Sequence, residues 1–355
     1  MSSNLWAPLK VGALELPHRL VMAPMTRARS TPEGVPSDMN ARYYAQRASM
    51  ALIITEGTQP SDDGQGYPLT PGIYRDDHVA GWRLVTDAVH DAGGLIVIQL
   101  MHVGRVAHPS NTPHGRQPVA PSAVRPSGSM FTATGPLEMP EPRELSGREI
   151  QDIIDEHRRA AAAAMAAGAD GVEVHAANGY LAHQFLSSNV NLRSDDYGGS
   201  VQRRIRFAVE LVDAVATEIG RDRTGVVISP GNALNDIVED DVEVVYGVLV
   251  RALSSLQPAY LNLSYRGSGD MVEFVRLNWS GVLFLNRGDA DLETRLLDVE
   301  TGLADAITVG THALANPDLV ARLRSGAPLN EADRSTFYGG GERGYLDYPT
   351  LANAV

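Results

Sequence analysis

Residues 172–200 read VEVHAANGYLAHQFLSSNVNLRSDDYGGS, and this stretch decides the fold and points to the chemistry. The valine-rich run Gly171–Ala177 ends in polar residues, which is typical of a buried parallel strand whose carboxyl end opens on a site. His175 ends this predicted strand, and Asn178 and Tyr180 follow on the next turn. We therefore expect these three side chains to point into the mouth of one sheet.

Similar apolar runs recur along the chain and alternate with helical patterns. The eight predicted strands are Arg19–Met25, Ala51–Gly57, Leu95–His102, Gly171–Ala177, Gly225–Pro230, Ala259–Tyr265, Gly281–Asn286 and Asp305–Gly310. The predicted helices include Asp38–Arg47, His78–Ala92, Gly147–Gly168, Val201–Ile219, Val242–Leu256 and Pro317–Ser325. Eight strand–helix units predict an α/β fold, a single (β/α)8 TIM barrel over residues 1–355. An open doubly wound sheet is disfavoured because no GxGxxG follows the first strand.

The longest irregular segment covers residues 103–145 and is rich in proline, serine and glycine. It follows the third predicted strand and therefore leaves the carboxyl-terminal face of the barrel, where barrel active sites lie. Long loops of this kind often cover a site, whereas others are disordered insertions. We interpret residues 103–145 as a lid.

The composition excludes several functional classes. The chain is 43% apolar and contains no run near the roughly 18 apolar residues of a membrane span. Its net charge of −13 and pI near 5.2 disfavour phosphate backbones, so neither a membrane nor a nucleic acid is an expected partner. It has no cysteine, and its first ten residues lack signal-peptide features, so we expect a cytoplasmic protein.

Metal binding is not expected either. The histidines His102, His108 and His114 are six residues apart across a loop that contains proline, and this spacing fits no regular ligand geometry.

The three residues around the fourth predicted strand suggest carbonyl chemistry. His175 and Asn178 offer two N–H donors that can converge on one carbonyl oxygen and stabilise negative charge developing there. Tyr180 supplies a phenolic proton. A lone histidine at a strand end is more often structural, so the functional interpretation depends on the whole cluster.

This cluster and the following DDYGGS closely resemble the signature of the old yellow enzymes, FMN-dependent NAD(P)H ene-reductases. Other matching segments extend the resemblance over nearly the whole chain; they are LKVG at 9–12, MAPMTR at 22–27, QLMHVGR at 99–105, NPDL at 316–319 and FYGGG at 337–341. The resemblance implies that His175 and Asn178 bind an enone oxygen. It also implies that Tyr180 protonates the α-carbon.

Further site residues are implied by the same resemblance. Thr26 would touch the flavin carbonyl near the reactive nitrogen, and Gln99 would bind the pyrimidine edge. The implied cofactor-binding residues are Pro24, Met25, Thr26, Gly57, Gln99, Arg287, Gly288 and Gly310. The implied substrate-binding residues are Tyr67, Met101 and Tyr338. Met101 stands where the family often has Trp, which would soften the pocket unless this side chain only packs in its strand.

The chain departs from the family at two arginines that hold FMN. Val227 stands on the fifth strand where the ring-binding arginine is expected, and Thr311 replaces the phosphate-binding arginine after Gly310. Charge-assisted hydrogen bonds are worth about 1.5–3 kcal/mol each, so the two losses predict that no cofactor is bound tightly. Arg287, at a position normally small, either compensates by pairing with the phosphate, blocks the cradle or is a solvated charge.

Three functions remain open on this basis, all with a small unsaturated carbonyl compound as ligand. The favoured one is a flavin-free isomerase, cyclase or conjugate-addition enzyme that uses His175, Asn178 and Tyr180 for acid–base chemistry. The alternatives are the family's FMN-dependent, NADPH- or NADH-driven reduction of a carbon–carbon double bond, and a binding protein without turnover. Substrate identity, nicotinamide preference and a possible homo-oligomer are not decided by the sequence.

Overall fold

The computed structural model describes residues 4–267 and 269–353 and contains the predicted closed barrel. Its eight parallel strands are β1 (Leu20–Met22), β2 (Ile53–Ile54), β3 (Ile96–Leu100), β4 (Gly171–Ala176), β5 (Thr224–Ile228), β6 (Tyr260–Tyr265), β7 (Leu283–Arg287) and β8 (Ala306–Val309). The barrel closes where Ile307 of β8 pairs with Leu20 of β1. The predicted α/β class and TIM-barrel architecture are therefore confirmed.

Most barrel strands are shorter than predicted at their carboxyl ends. The run predicted as Arg19–Met25 is a strand only to Met22, and the run predicted as Ala51–Gly57 is reduced to Ile53–Ile54. Residues 23–26 leave the ladder because they line the cavity at the barrel mouth. Their apolar and proline-containing sequence still resembles a strand.

The helices lie outside the barrel and largely match the predicted positions. They are α1 (Asp38–Ala45), α2 (Asp76–Asp91), α3 (Gly147–Ala166), α4 (Leu181–Leu186), α5 (Val201–Arg204), α6 (Arg206–Ile219), α7 (Val242–Leu256), α8 (Asp270–Asn278), α9 (Leu292–Glu300), α10 (Thr311–Ala315) and α11 (Leu319–Ser325). The predicted helix Val201–Ile219 is interrupted at Ile205, and the predicted helix Pro317–Ser325 begins two residues later, at Leu319. Helix α3 starts with the capping box of Ser146 and Glu149 that its sequence suggests.

The amino-terminal end of the barrel is closed by a hairpin of Leu9–Val11 and Leu14–Leu16. Its apolar side chains join the cluster inside the barrel, where Tyr260 stacks on Phe284 at 4.3 Å between ring centroids. A larger apolar cluster fills the space between the strands and the helices. Because the lower end is plugged, the barrel opens at its carboxyl-terminal end.

Residues 103–145 lie over that open end and contain a small hairpin, Ser129–Thr132 with Gly135–Glu138. The buried Arg105 side chain ties this segment to the loop after β5, because it donates to the carbonyls of Val124, Asn235 and Asp236. The segment is thus anchored by its own hydrogen bonds, while its function as a lid stays a prediction. Among the described residues, no helix combines the length and apolarity required to cross a bilayer.

Candidate active site

Tyr180 lies at the start of α4, on the turn that follows β4. Its hydroxyl is 3.1 Å from the Tyr67 hydroxyl, and its ring lies 5.0 Å from the His175 ring, edge to face. Burial raises the pKa of Tyr180 well above its ordinary value, and the neighbouring Tyr67 adds to the effect. Tyr180 is therefore a protonated phenol at neutral pH, as a proton donor must be.

His175 is buried at the end of β4 and is neutral. Burial lowers the pKa of its imidazole to about 3, and the nearby His183 ring lowers it further. Its Nδ1 accepts a hydrogen bond from the Ala177 amide at 3.3 Å, so the single proton of the neutral ring is on Nε2. Nε2 is thus a hydrogen-bond donor on the side of the ring away from its own backbone.

Asn178 lines the cavity at the barrel mouth in a left-handed conformation, with φ of +56°. Its amide N–H donates to Ser229 Oγ at 2.7 Å, and its carbonyl accepts from Asn235 Nδ2 at 2.7 Å. The side-chain oxygen accepts from Asn232 Nδ2 at 2.9 Å, which leaves Nδ2 of Asn178 as a donor. Asparagine tolerates this backbone region better than most residues, so the turn selects its side chain as well as its backbone.

Asn232 and Asn235 are site residues that sequence reasoning missed. Both lie in the loop after β5 and hold Asn178 from the opposite side of the mouth. The available signal was the run GNALND directly after a strand end, because polar turn residues at that end of a barrel face the active site.

A cavity of about 780 Å³ opens at the carboxyl-terminal end of the barrel. Its lining residues come from the loops after β1, β4, β5, β6, β7 and β8 and from the carboxyl-terminal segment. The predicted site residues among them are Pro24, Met25, Thr26, Asn178, Gly288, Gly310, Thr311 and Tyr338. The structure thus brings together one catalytic candidate, one substrate candidate and most of the cofactor candidates.

The other predicted substrate residues lie beside Tyr180, under residues 103–145. Tyr67 and Tyr180 pack against an apolar cluster that includes Met101 and Met130. Met101 also covers Gly57, since a Cβ placed on Gly57 would lie only 2.5 Å from Met101 Cε. Met101 therefore fills a defined space next to the proton donor, and Gly57 must stay without a side chain.

Gln99 is held by a buried carboxyl group beneath the cavity. Its Nε2 donates to Glu173 Oε1 at 2.7 Å, and Asn262 Nδ2 donates to Glu173 Oε2 at 3.0 Å. Burial raises the pKa of Glu173 to about 7 in spite of both hydrogen bonds. The Gln99 side chain is therefore fixed in orientation, with its own oxygen left to accept a hydrogen bond.

The three positions that depart from the family pattern have different surroundings. Val227 is buried on β5, in register with His175 and Asn262, so an apolar side chain stands beside the polar groups of the mouth. Thr311 is exposed and lines the cavity. Arg287 turns to Asp298, with Nη1 3.4 Å from Oδ1, and its side chain is not among those that line the cavity.

Two other arginines do line the cavity, and sequence reasoning missed both. Arg266 follows β6 and Arg295 lies on α9. Neither belongs to a recognisable motif, and α9 was not among the predicted helices.

One cluster on the outer side of the structure has metal-binding residue types. Ligand atoms of Asp62, Asp63 and His114 lie within 4.8 Å of one another. Arg116 pairs with both carboxylates, at 2.9 Å and 2.6 Å, so the cluster is an ion-pair network that fastens residues 103–145 to the loop after β2.

Known proteins resemble this chain along nearly its full length. The NADH:flavin oxidoreductase / NADH oxidase family matches residues 4–330. A probable flavin mononucleotide-dependent alkene reductase from Leishmania infantum is 44% identical over 353 residues, with 97% of this chain and 96% of the relative covered.

Solved structures agree with this match. Morphinone reductase superposes with a TM-score of 0.94 at 42% identity, covering 99% of this chain and 98% of that one. The old yellow enzyme homologue from Zymomonas mobilis superposes with a TM-score of 0.95 at 39% identity, covering 98% and 100%.

These comparisons correct the favoured functional prediction. A flavin-free isomerase or cyclase is contradicted, because relatives at 39–44% identity over nearly the whole length are named as reductases, one of them flavin mononucleotide-dependent. They support an oxidoreductase. The expectation that the site binds no cofactor tightly is also unsupported, although Val227 and Thr311 do stand where the family has arginine.

Proposed function

The chain belongs to the NADH:flavin oxidoreductase / NADH oxidase family and, within it, to the old yellow enzymes, and we propose that it reduces the carbon–carbon double bond of small α,β-unsaturated carbonyl compounds with FMN and NADPH or NADH. The observation that carries this proposal is the pairing of a protonated Tyr180 with the neutral His175 donor beside a cavity of about 780 Å³. A cavity of this size is in the usual range for ligand sites.

The residues at the cavity fit a flavin nucleotide. The backbone of residues 23–26 forms one wall, and Gly310 keeps this wall narrow, because a Cβ there would lie 3.1 Å from Met25 Sδ. Gln99 presents an amide that Glu173 holds in place, which suits a ring edge that both donates and accepts hydrogen bonds. Cationic side chains lie at the far end, where a phosphate requires them.

When bound, FMN would accept a hydride from the nicotinamide and supply it to the β-carbon of the substrate. His175 Nε2 and Asn178 Nδ2 would donate hydrogen bonds to the substrate carbonyl oxygen. Their contribution is largest when negative charge develops on that oxygen, so they lower the barrier and not merely the dissociation constant.

Tyr180 would give its proton to the α-carbon. Its hydroxyl shares a hydrogen bond with Tyr67, 3.1 Å away, so Tyr67 is placed to donate to the phenolate oxygen that remains. The apolar cluster of Met101, Met130 and Met139 covers the two tyrosines and keeps water from this proton.

The test is to supply purified protein with FMN, NADPH or NADH and 2-cyclohexen-1-one, and to identify the product by mass spectrometry. We expect cyclohexanone, two mass units above the substrate. Tyr180→Phe should slow its formation by about 10²- to 10⁴-fold, the usual contribution of a general acid. Tyr74→Phe, which removes a phenol outside the cavity lining, should leave the rate unchanged.

Two results would overturn the proposal. Tight enone binding without turnover would identify a non-catalytic binding protein. A product with the mass of the substrate would show that the reaction involves no reduction.

A further inference from the structure

Three guanidinium groups meet at the end of the cavity formed by the loops after β6 and β7. Arg266 follows β6, Arg287 ends β7 and Arg295 lies in the first half of α9. Two carboxylates accompany them, since Asp289 lies 3.4 Å from Arg266 and Asp298 lies 3.4 Å from Arg287. Three positive and two negative charges leave this end of the cavity with a net charge of +1.

Arg287 is neutralised within the protein. Its side chain is 18% exposed and that of Asp298 is 6% exposed, so this ion pair is largely shielded from water. A largely buried carboxylate beside Arg287 holds it in place, because separating the pair would leave an uncompensated charge. Arg287 therefore belongs to the wall behind the cavity.

Arg295 is built differently. The residue is 8% exposed, and it lines the cavity. Its Nε donates to the Ala290 carbonyl at 3.1 Å, which orients the guanidinium, while its two Nη atoms have no hydrogen-bond partner among the described residues. Burial lowers the pKa of Arg295, Asp298 opposes this shift, and Arg266 adds to it. A dianion in the cavity would relieve both the desolvation and the repulsion.

The surroundings leave room for such an anion. Gly288 and Gly310 line this part of the cavity together with Thr311, so small side chains surround the guanidinium. The stem of Arg266 crosses Gly288 closely, because a Cβ there would lie 2.9 Å from Arg266 Cγ. Arg266 itself is 68% exposed and stands at the rim.

We propose that the Nη atoms of Arg295 bind the phosphate of FMN, with Arg266 as a second, weaker contact at the rim. Helix α9 thereby supplies the cation that is missing after β8, where Thr311 stands. This inference rests on the proposed function, since it concerns the cofactor of that reaction. It assigns the phosphate contact to Arg295 and not to Arg287.

The experiment compares FMN with riboflavin, which has the same ring system and no phosphate. Dissociation constants are measured by quenching of flavin fluorescence with wild-type protein, Arg295→Met, Arg295→Lys and Arg266→Met. The ratio of the riboflavin constant to the FMN constant isolates the phosphate contribution. Riboflavin binding at the same time reports whether each variant still has a folded site. The exposed Arg221, before β5, gives a matched control as Arg221→Met.

We expect Arg295→Met to reduce this ratio roughly ten- to a hundredfold, by weakening FMN and not riboflavin. Arg295→Lys should reduce it less, because lysine keeps the charge and loses the fork of donors. Arg266→Met should reduce it only a few-fold, and Arg221→Met should not change it.

Other outcomes separate the two claims. An unchanged ratio in Arg295→Met and Arg295→Lys, or equal affinity of the wild type for FMN and riboflavin, would overturn the assignment and leave the proposed function intact. A wild-type protein that binds neither flavin would overturn both.

Discussion

Replacing the buried Glu173 with glutamine should stabilise the protein at alkaline pH. The carboxyl group is fully buried, with Gln99 donating to one oxygen and Asn262 to the other. Glutamine has the same shape. Its oxygen can accept from Gln99, and its amide nitrogen can donate to Asn262 if the Asn262 amide turns over. That turn costs little, because Asn262 Oδ1 is buried and has no hydrogen-bond partner among the described residues.

The size of the effect follows from the pKa of Glu173, which burial raises from 4.5 to about 7. Between these two values the folded state holds more protons than the unfolded state, so rising pH destabilises the wild type. The full loss is about 2.5 pKa units, or about 3 kcal/mol, and it is complete above about pH 7.5. Below pH 4.5 it vanishes. The variant lacks this dependence.

Urea unfolding of both proteins at pH 5 and pH 8.5 measures the difference. We expect the stability advantage of Glu173→Gln to be about 2–3 kcal/mol greater at pH 8.5 than at pH 5. The exposed Glu331, changed to glutamine, serves as a control that should show no such pH dependence. Parallel pH profiles for wild type and Glu173→Gln would refute the reasoning.

Three further predictions concern the site. The imidazole of His175, with a pKa of about 3, should not titrate between pH 5 and 8, so no inflection near pH 6.5 in the enone rate should disappear in His175→Asn. Val227→Arg places a cation where the family has one, and it should raise the reduction potential of bound FMN by roughly 30–65 mV in a spectroelectrochemical titration. Arg105→Met leaves three backbone carbonyls without their donor, so residues 103–145 should be cleaved by trypsin or thermolysin several-fold faster, whereas the exposed Arg116→Met should have a smaller effect. Equal cleavage of both variants would show that Arg105 does not anchor the segment.

The barrel and the centre of the site could be predicted from sequence because their signals are local. His175, Asn178 and Tyr180 lie within six residues, on one strand end and the turn after it, and a parallel strand directs such residues to one face. The partner of Tyr180 is not local, since Tyr67 is 113 positions away. Nothing in either segment reveals that the two hydroxyls meet.

Helices α8 and α9 were missed because exposed leucines disturb their apolar pattern. Leu277 is 86% exposed and Leu297 is 55% exposed, so these residues lie on the solvent side of their helices. A pattern that counts them as core residues loses its 3.6-residue period. The phosphate end of the cavity was hidden for the same reason, since Arg295 lies on α9.

The prediction of a flavin-free enzyme failed because it subtracted contacts without seeing replacements. The absence of arginine at Val227 and Thr311 is visible in the sequence, whereas the side chains that occupy the same space come from other elements. Arg287, the substitute that the sequence offered, is turned to Asp298. The folded chain presents Arg295 there instead.

The most direct test of the account is an absorption spectrum of purified protein after incubation with excess FMN and desalting, followed by anaerobic addition of NADPH or NADH and then of 2-cyclohexen-1-one. We predict one bound FMN per chain, bleaching of its visible band by the nicotinamide and recovery of the band by the enone. A colourless protein after desalting, or a flavin band that the nicotinamide does not bleach, would contradict the account.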